Sequence, residues 1–147
     1  MTKRRVGKAK LPVEVGELAE FRYRLRRFLG FSEAAAEAVG ISAQQYQLLQ
    51  VVAAAPEGRP ATISYIAERM VVRHNSAVEL VDRAEKSGLV RRVADASDAR
   101  RSLVKITGRG GELLALLVEQ HLTEIDVEGV EMMRALQVLI ARRSEAK

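Results

Sequence analysis

A stretch near the middle of the chain has side chains suited to reading and holding a polyanion. Between Arg73 and Ser87 the small and aliphatic residues recur at helical spacing, which predicts a helix with one buried face, and Gly88 is its expected left-handed stop. Arg and Asn side chains can form paired hydrogen bonds to base edges in the DNA major groove. Glu79 can accept from a cytosine amine or pair with Arg83, and the spacing leaves both open. The polar positions are Arg73, His74, Asn75, Ser76, Glu79, Arg83 and Lys86.

The segment that follows adds a second basic group, on a predicted β-hairpin. Two runs with β character, 89–94 and 102–107, flank a polar tip. Arginine at such a tip, here Arg100 and Arg101, can enter the narrow, negative minor groove. Incidental charge on a solvated hairpin is the alternative interpretation. The basic residues on or beside the hairpin are Arg91, Arg92, Arg100, Arg101 and Lys105.

Acidic residues beside this basic group need a separate explanation, because they repel phosphate. Asp95 and Asp98 at the hairpin tip are interpreted as folding the tip and holding Arg100 by charge-assisted hydrogen bonds. On the preceding helix, Asp82 and Glu85 are expected to face the protein.

The sequence favours neither an enzyme nor a metal site. The only histidines, His74 and His121, lie far apart and are interpreted as a helix-start residue and a helix-junction residue. Cysteine is absent, which excludes disulfides and thiolate ligands. We therefore expect no catalytic residues, no metal and no cofactor. A group of acids without accompanying His or Cys is interpreted as a solvated face: Glu119, Glu124, Asp126, Glu128 and Glu131.

Helices are predicted before the basic stretch. Apolar spacing predicts one over 14–39, with a break near Gly30 and with Ser32 capping a second segment. Ser42 and Gln45 match a capping box at the start of the next helix.

Two further helices connect directly to the basic stretch. Thr62 is a candidate cap for a short helix, and a tight turn joins that helix to the one starting near Arg73. This arrangement is a helix-turn-helix pattern.

Beyond the hairpin the sequence predicts two more helices. Thr107 can cap the first, which opens near Gly108 and continues to Val118. The last is expected over 122–143, with Gly129 as a possible bend.

The composition limits the class of protein to which these interpretations can apply. The 147 residues include 48% hydrophobic residues, enough for the core of one ordinary domain. The net charge is +5, and the basic excess lies in residues 1–30 and 73–118. This distribution suits nucleic acid, although solubility alone is an alternative explanation. No apolar run is long enough to span a bilayer, and no signal peptide is apparent, so we expect a cytoplasmic protein without membrane contact.

These residues together resemble the MarR family of transcription regulators. FRYRLRRFLGFSEAAAEAVGISAQQYQLL is similar to the first two helices of one branch, and RHNSAVELVDRAEKSGLVRR to the recognition helix and the entry to the wing. Asp95, Asp98 and Arg100 reproduce the D-x-x-D-x-R wing signature. Thr107 and Gly110 fit the T-x-x-G that opens the following helix. Asn75 departs from the branch, which often has His there.

The resemblance implies a mostly α (α+β) fold. A winged helix-turn-helix with a two-stranded wing hairpin would be flanked by N- and C-terminal dimerisation helices. We expect a single domain over 1–147, with a basic arm at 1–12, dimerisation helices at 13–40 and 108–147, and the DNA-binding lobe at 41–107.

The resemblance also implies a homodimer that binds double-stranded DNA. We expect a sequence-specific regulator, a repressor on a pseudo-palindromic operator, with a small aromatic or phenolic ligand as a candidate releasing agent. A nonspecific architectural DNA-binding protein and a winged-helix protein-interaction module are the alternatives. The residues expected to contact DNA are Arg73, His74, Asn75, Ser76, Glu79, Arg83, Arg100 and Arg101, with Asp95 and Asp98 structuring the wing.

Overall fold

A computed structural model describes residues 9–147, so most of the predicted basic arm lies outside the described residues. The described chain forms two compact units, one of residues 9–29 with Glu124–Lys147 and one of Gly30–Thr123. Its mostly helical structure with one antiparallel hairpin is the expected winged helix-turn-helix fold. The elements are α1 (Val15–Ala38), α2 (Ala43–Ala53), α3 (Ile63–Met70), α4 (His74–Lys86), β1 (Val90–Ala94), β2 (Ser102–Ile106), α5 (Gly108–Glu124), a π-helical turn (Ile125–Gly129) and α6 (Val130–Glu145).

The helix starts of the larger unit are capped as the sequence predicts. Ser42 Oγ accepts from the Gln45 backbone N–H at 3.1 Å, and Gln45 Oε1 accepts from the Ser42 backbone N–H at 3.0 Å, which confirms the capping box. Thr62 Oγ1 accepts from the Tyr65 backbone N–H at 3.1 Å at the start of α3. Val71 then adopts a left-handed conformation, φ 56°, and forms the turn into α4.

An aliphatic core holds α2, α3, α4 and the hairpin together. Each fully buried Leu, Ile or Val contributes roughly 1.5–3 kcal/mol of hydrophobic free energy. This core therefore fixes the helix-turn-helix as a unit. Its largest fully buried side chains include Leu48 and Leu49 of α2, Ile66 of α3, Val81 of α4, and Leu89, Val90 and Val104 around the hairpin.

The hairpin register determines which strand side chains face this core. Val90 pairs with Ile106, and Arg92 pairs with Val104. Residues directly opposite in an antiparallel pair share a face, so Val90, Arg92 and Val104 lie on the core-facing side. The Val104 backbone N–H also donates to the Ala61 carbonyl at 2.9 Å and so attaches β2 to the loop before α3.

The predicted break near Gly30 is wrong. Helix α1 continues through Gly30 to Ala38, and Ser32 is buried within it rather than capping a new segment. Its hydroxyl donates to His121 Nε2 at 2.8 Å, while His121 Nδ1 donates to the Leu117 carbonyl at 2.6 Å. A carbonyl oxygen can only accept, so the proton of neutral His121 resides on Nδ1.

The interpretation of His121 as a helix-junction residue is also wrong. Helix α5 runs without interruption from Gly108 to Glu124, and the His121 ring is buried inside the larger unit. It stacks on the ring of Tyr46, with 4.5 Å between centroids, and meets Phe31 edge-on at 5.3 Å. The irregular turn comes later, at Ile125–Gly129, and it includes the glycine expected to bend the last helix.

In the smaller unit, one of the acids assigned to a solvated face is buried. Glu128 is only 4% exposed and accepts from Arg24 Nη1 at 3.4 Å and from Arg27 Nε at 3.2 Å. The prediction failed because the compensating arginines lie about a hundred positions earlier, on α1. Among residues 9–147, no helix combines the length and apolar character needed to cross a membrane.

Candidate nucleic-acid interface

Helix α4 has one buried face and one exposed polar face, as its spacing predicts. Ala77, Leu80, Val81 and Ala84 are all buried, and they seat the helix on the core. The small residues Ala77 and Ala84 are completely inaccessible to solvent. The opposite face leaves every predicted contact residue of the helix exposed: Arg73, His74, Asn75, Ser76, Glu79 and Arg83.

The first turn of α4 and the wing border the same open groove, of about 410 Å³. The structure therefore brings His74 together with Arg100 and Arg101, from positions more than 25 residues apart in sequence. Arg83 lies in the last turn of α4, away from this groove's lining. The lining consists of Thr62, Ile63, Ser64, His74, Val78, Arg92, Arg100, Arg101 and Ser102.

At the wing tip, Asp98 contacts Arg100 as the sequence predicts. Its Oδ1 accepts from the Arg100 backbone N–H at 3.0 Å and from Arg100 Nε at 3.3 Å. The Arg100 side chain is nevertheless 92% exposed. The Asp98 contact thus restrains the base of the side chain and leaves most of the guanidinium open to solvent.

Asp95 does not hold Arg100, and this part of the prediction is wrong. The buried Asp95 carboxylate accepts from the Ser97 backbone N–H at 2.9 Å, from Ser97 Oγ at 2.7 Å and from Arg101 Nε at 2.5 Å. These hydrogen bonds, Ser97 first and Arg101 next, lower the pKa of Asp95 to about 2. The tip is therefore braced by Asp95 through Arg101 and not through Arg100.

Arg92 connects the wing to α4 through three hydrogen bonds. Its backbone N–H donates to Glu85 Oε2 at 2.8 Å, and its Nη1 donates to Glu85 Oε1 at 3.1 Å. Its Nη2 donates to Asp82 Oδ1 at 2.7 Å. Asp82 and Glu85 thus contact the protein as expected, whereas Arg92 was predicted only as one basic residue among several. Arginine is unusual at an inward strand position, where apolar residues are the norm, but this position is known to be inward only from the register of the hairpin.

Comparison with known proteins identifies this arrangement. Residues 39–101, from the end of α1 to the wing tip, match a family model described as MarR family. This winged-helix segment belongs to the MarR family. No curated protein sequence matches the chain.

Solved structures share the fold over nearly the whole chain. AbsC, a MarR family transcriptional regulator from Streptomyces coelicolor, is 17% identical with a TM-score of 0.70, covering 95% of this chain and 100% of its own. A MarR family protein from Bacillus stearothermophilus is 23% identical with a TM-score of 0.68, covering 92% and 99%. A MarR mutant from E. coli complexed with operator DNA is 18% identical with a TM-score of 0.66, covering 88% and 93%.

The end of α4 in this MarR segment is anchored to the start of α5. Gly88 has the left-handed φ of 73° that its position as helix stop predicts. Thr107 Oγ1 donates to the Gly88 carbonyl at 2.5 Å and accepts from the Gly110 backbone N–H at 3.1 Å. Arg109 Nη1 donates to the Ser87 carbonyl. These bonds satisfy backbone groups that a helix end leaves unpaired.

Arg59, in the loop before α3, is a basic residue of the MarR segment that the sequence analysis did not identify. Its guanidinium lies 5.0 Å from the centre of the Tyr65 ring and pairs with Glu68, whose pKa this contact lowers. Arg59 and Arg101 line a common groove beside the wing. An isolated arginine in a Pro- and Gly-containing loop carried no sequence signal.

The outer face of the wing carries two basic residues opposite each other. Arg91 pairs in register with Lys105, and both are exposed. Like charges directly opposite destabilise a hairpin, so folding stability does not account for this pair. The outer face instead suits a polyanion. Among residues 9–147, no three metal-ligating side chains are grouped to hold an ion.

Proposed function

We propose that the chain is a dimeric, sequence-specific DNA-binding regulator that represses transcription by occupying a pseudo-palindromic operator. One observation carries the proposal. His74, on the exposed polar face of α4, and the exposed Arg100 of the wing line one groove. A helix fits the major groove and an arginine-tipped wing fits the adjacent minor groove, so one protomer can engage both.

The residue types assign different roles along this surface. Arg73 carries paired donors and Asn75 carries a donor and an acceptor, which suit base edges, whereas His74 and Ser76 suit phosphate at the N-terminus of α4. Arg100 suits the negative potential of a narrow minor groove. The E. coli MarR mutant of similar fold was solved in complex with operator DNA, which supports DNA binding by this chain.

The proposed dimer accounts for apolar side chains on the smaller unit. Isolated soluble domains rarely leave so many large apolar residues of neighbouring helices in water. A two-fold dimer would place two copies of α4 about one DNA turn apart, ~34 Å, which is the reason for a pseudo-palindromic operator. The exposed residues include Val15 and Leu18 of α1 and Val130, Met133, Leu136, Val138 and Ile140 of α6.

Fluorescence anisotropy with DNA from upstream of the protein's own gene tests the proposal. We expect that operator binds at least about a thousandfold more tightly than scrambled DNA, with two protomers per duplex by sedimentation. Affinity should fall steeply with salt, by about 0.9 logarithmic units per phosphate contact for each tenfold increase.

Two other results would assign a different function. A specificity ratio near one, with steep salt dependence, would indicate an architectural DNA-binding protein. A folded dimer that binds no DNA would indicate a winged-helix module for protein contacts.

Release by a small ligand is the last component of the proposal. A ligand that binds only the folded protein raises its melting temperature, and the stabilisation grows with the logarithm of the ratio of ligand concentration to Kd. Small aromatic and phenolic acids should therefore be screened by thermal shift. Compounds that raise the melting temperature should then be tested for release of the operator.

A further inference from the structure

We propose that Arg92 is a positioning residue that fixes the wing relative to α4, so that the wing arginine and the helix engage DNA together. The inference rests on the proposed DNA binding. It assigns no contact with DNA to Arg92 itself.

The position of Arg92 on its strand is the first observation. Arg92 pairs with Val104, which is 1% exposed, and the neighbouring pair on the same face begins with the equally buried Val90. An aliphatic residue at this inward position would add to the core. A charged residue there forgoes that packing, and partly exposed ion pairs contribute little stability in return. Folding stability therefore gives no reason for arginine at this site.

The geometry of its contacts is the second observation. Arg92 binds Asp82 and Glu85, which lie three residues apart on one face of α4. The planar guanidinium presents two separate N–H groups at fixed spacing, and the backbone N–H adds a third bond to Glu85. Because three bonds to two positions on a helix define an orientation as well as a distance, the strand cannot rotate about α4 without breaking at least one.

The hydrogen bonds from Arg92 to α4 lie on the hairpin close to its tip. Beyond Arg92 the strand continues only through Val93 and Ala94 to the tip that carries Arg100. Arg92 also lines the groove that His74 and Arg100 border. The bond from Thr107 to Gly88 holds the root of the hairpin, and the Val104 backbone N–H attaches β2 to the loop before α3, whereas the Arg92 bonds are the ones made to α4 itself.

The contacts of Arg92 also involve two negative charges that oppose DNA binding. Asp82 and Glu85 are roughly half exposed on the helix proposed to meet DNA. The single positive charge of Arg92 offsets one of their two negative charges. If only charge matters, removing one of these acids should strengthen DNA binding. If Arg92 positions the wing, the same change should weaken it.

Glu85→Gln is the first test, with Glu57→Gln as the control. Removing an acid strengthens DNA binding if only charge matters, and Glu57→Gln should do so slightly. Positioning predicts that Glu85→Gln instead weakens operator binding about fivefold to tenfold in anisotropy titrations, because the neutral amide has lost one of the two oxygens that accept from Arg92. Asp82→Asn should act in the same direction. Tighter operator binding by Glu85→Gln would overturn the inference.

A double-mutant cycle is the second test. A positioning residue acts through the group it positions, so Arg92→Ala should weaken operator binding about tenfold in the native chain and hardly at all in Arg100→Ala. Independent losses that multiply would mean a separate contact and would overturn the inference. Arg92→Lys retains the charge without the fork, and it should behave like Arg92→Ala.

Separate controls distinguish a folding defect, a failure of the proposed function and a failure of the role proposed for Arg92. If Arg92→Ala fails to fold in circular dichroism melts, Glu85→Gln and Asp82→Asn decide the question, since both leave Arg92 in place. A wild-type protein that shows no preference for its operator would overturn the proposed function. Operator affinity that stays at the wild-type value in Arg92→Ala, Glu85→Gln and Asp82→Asn would overturn only the role of Arg92.

Discussion

Arg101 donates to the buried carboxylate of Asp95 at 2.5 Å, whereas its neighbour Arg100 keeps 92% of its side chain exposed. Two adjacent arginines of the wing tip thus have different roles. Arg101 is part of the structure of the tip, and Arg100 is the residue that the tip presents. The distinction leads to different expectations for their alanine variants.

We expect Arg100→Ala to weaken operator binding about tenfold to a hundredfold without lowering the melting temperature, because it removes only an exposed cation. Arg101→Ala should lower both, because it leaves Asp95 without its charged partner. Anisotropy titrations and thermal melts on the same preparations measure the two effects. Loss of stability in Arg100→Ala with normal DNA binding would contradict this assignment.

The Asp95 brace should be visible as a pH dependence. Hydrogen bonds lower the pKa of Asp95 from 3.8 to about 2, so the folded state favours the carboxylate. Its contribution to stability is present above about pH 4 and is lost as the pH falls through about 2. Asp95→Asn lacks this contribution, so the gap between the two melting temperatures should be constant above about pH 4 and narrow below it. A gap that stays constant down to about pH 2 would show that Asp95 is not the titrating group.

Much of the larger unit could be predicted because its sequence signals are local. The capping box at Ser42, the buried stripe of α4 and the left-handed stop at Gly88 each depend on residues within a few positions. The resemblance to the wing signature likewise placed Asp98 beside Arg100. It did not distinguish Arg100 from Arg101 as the partner of Asp95, since adjacent side chains can reach the same carboxylate.

The unpredicted features depend on contacts distant in sequence. Ser32 and His121 are 89 positions apart, and Arg24 and Glu128 are 104 apart. From its sequence neighbours alone, Ser32 resembles a helix cap and Glu128 resembles a solvated acid. The contacts of Arg92 with α4 were not predicted for a related reason. Its strand position is recognised as inward only once its register with Val104 is known.

The Ser32–His121 bond should stabilise the larger unit. We expect Ser32→Ala to cost about 1–3 kcal/mol, because it leaves His121 Nε2 buried without the Ser32 hydroxyl as donor. Denaturant titration measures the loss. Ser144→Ala is a matched control, since Ser144 is an exposed helical serine that donates only to the Ile140 carbonyl, and it should be neutral. The ¹⁵N shifts of labelled histidine should report protonation at Nδ1, and an Nε2-protonated ring would contradict the geometry.

Glu128 should stabilise the smaller unit in a similar way. Its buried carboxylate binds both Arg24 and Arg27, so Glu128→Gln replaces two charge-assisted bonds by weaker neutral ones. We expect the melting temperature to fall by ~5 °C, whereas Glu145→Gln, at an exposed position of α6, should leave it unchanged. Equal melting temperatures for the two variants would mean that the Glu128 pairs contribute nothing net.

Two neighbouring glycines at the start of α5 provide the sharpest test of the packing. A Cβ added to Gly110 would lie 2.1 Å from the Leu89 carbonyl oxygen, at the junction between α4 and the wing, and that backbone atom cannot move aside cheaply. A Cβ on Gly111 would meet only the Ile106 side chain, at an ordinary 3.8 Å. We therefore expect Gly110→Ala to destabilise the fold by about 3 kcal/mol or more. Gly111→Ala should stabilise it by up to ~1 kcal/mol, because alanine is the better helix former. Denaturant titrations of the two variants decide the matter, and similar stabilities would show that α5 does not approach Leu89 this closely.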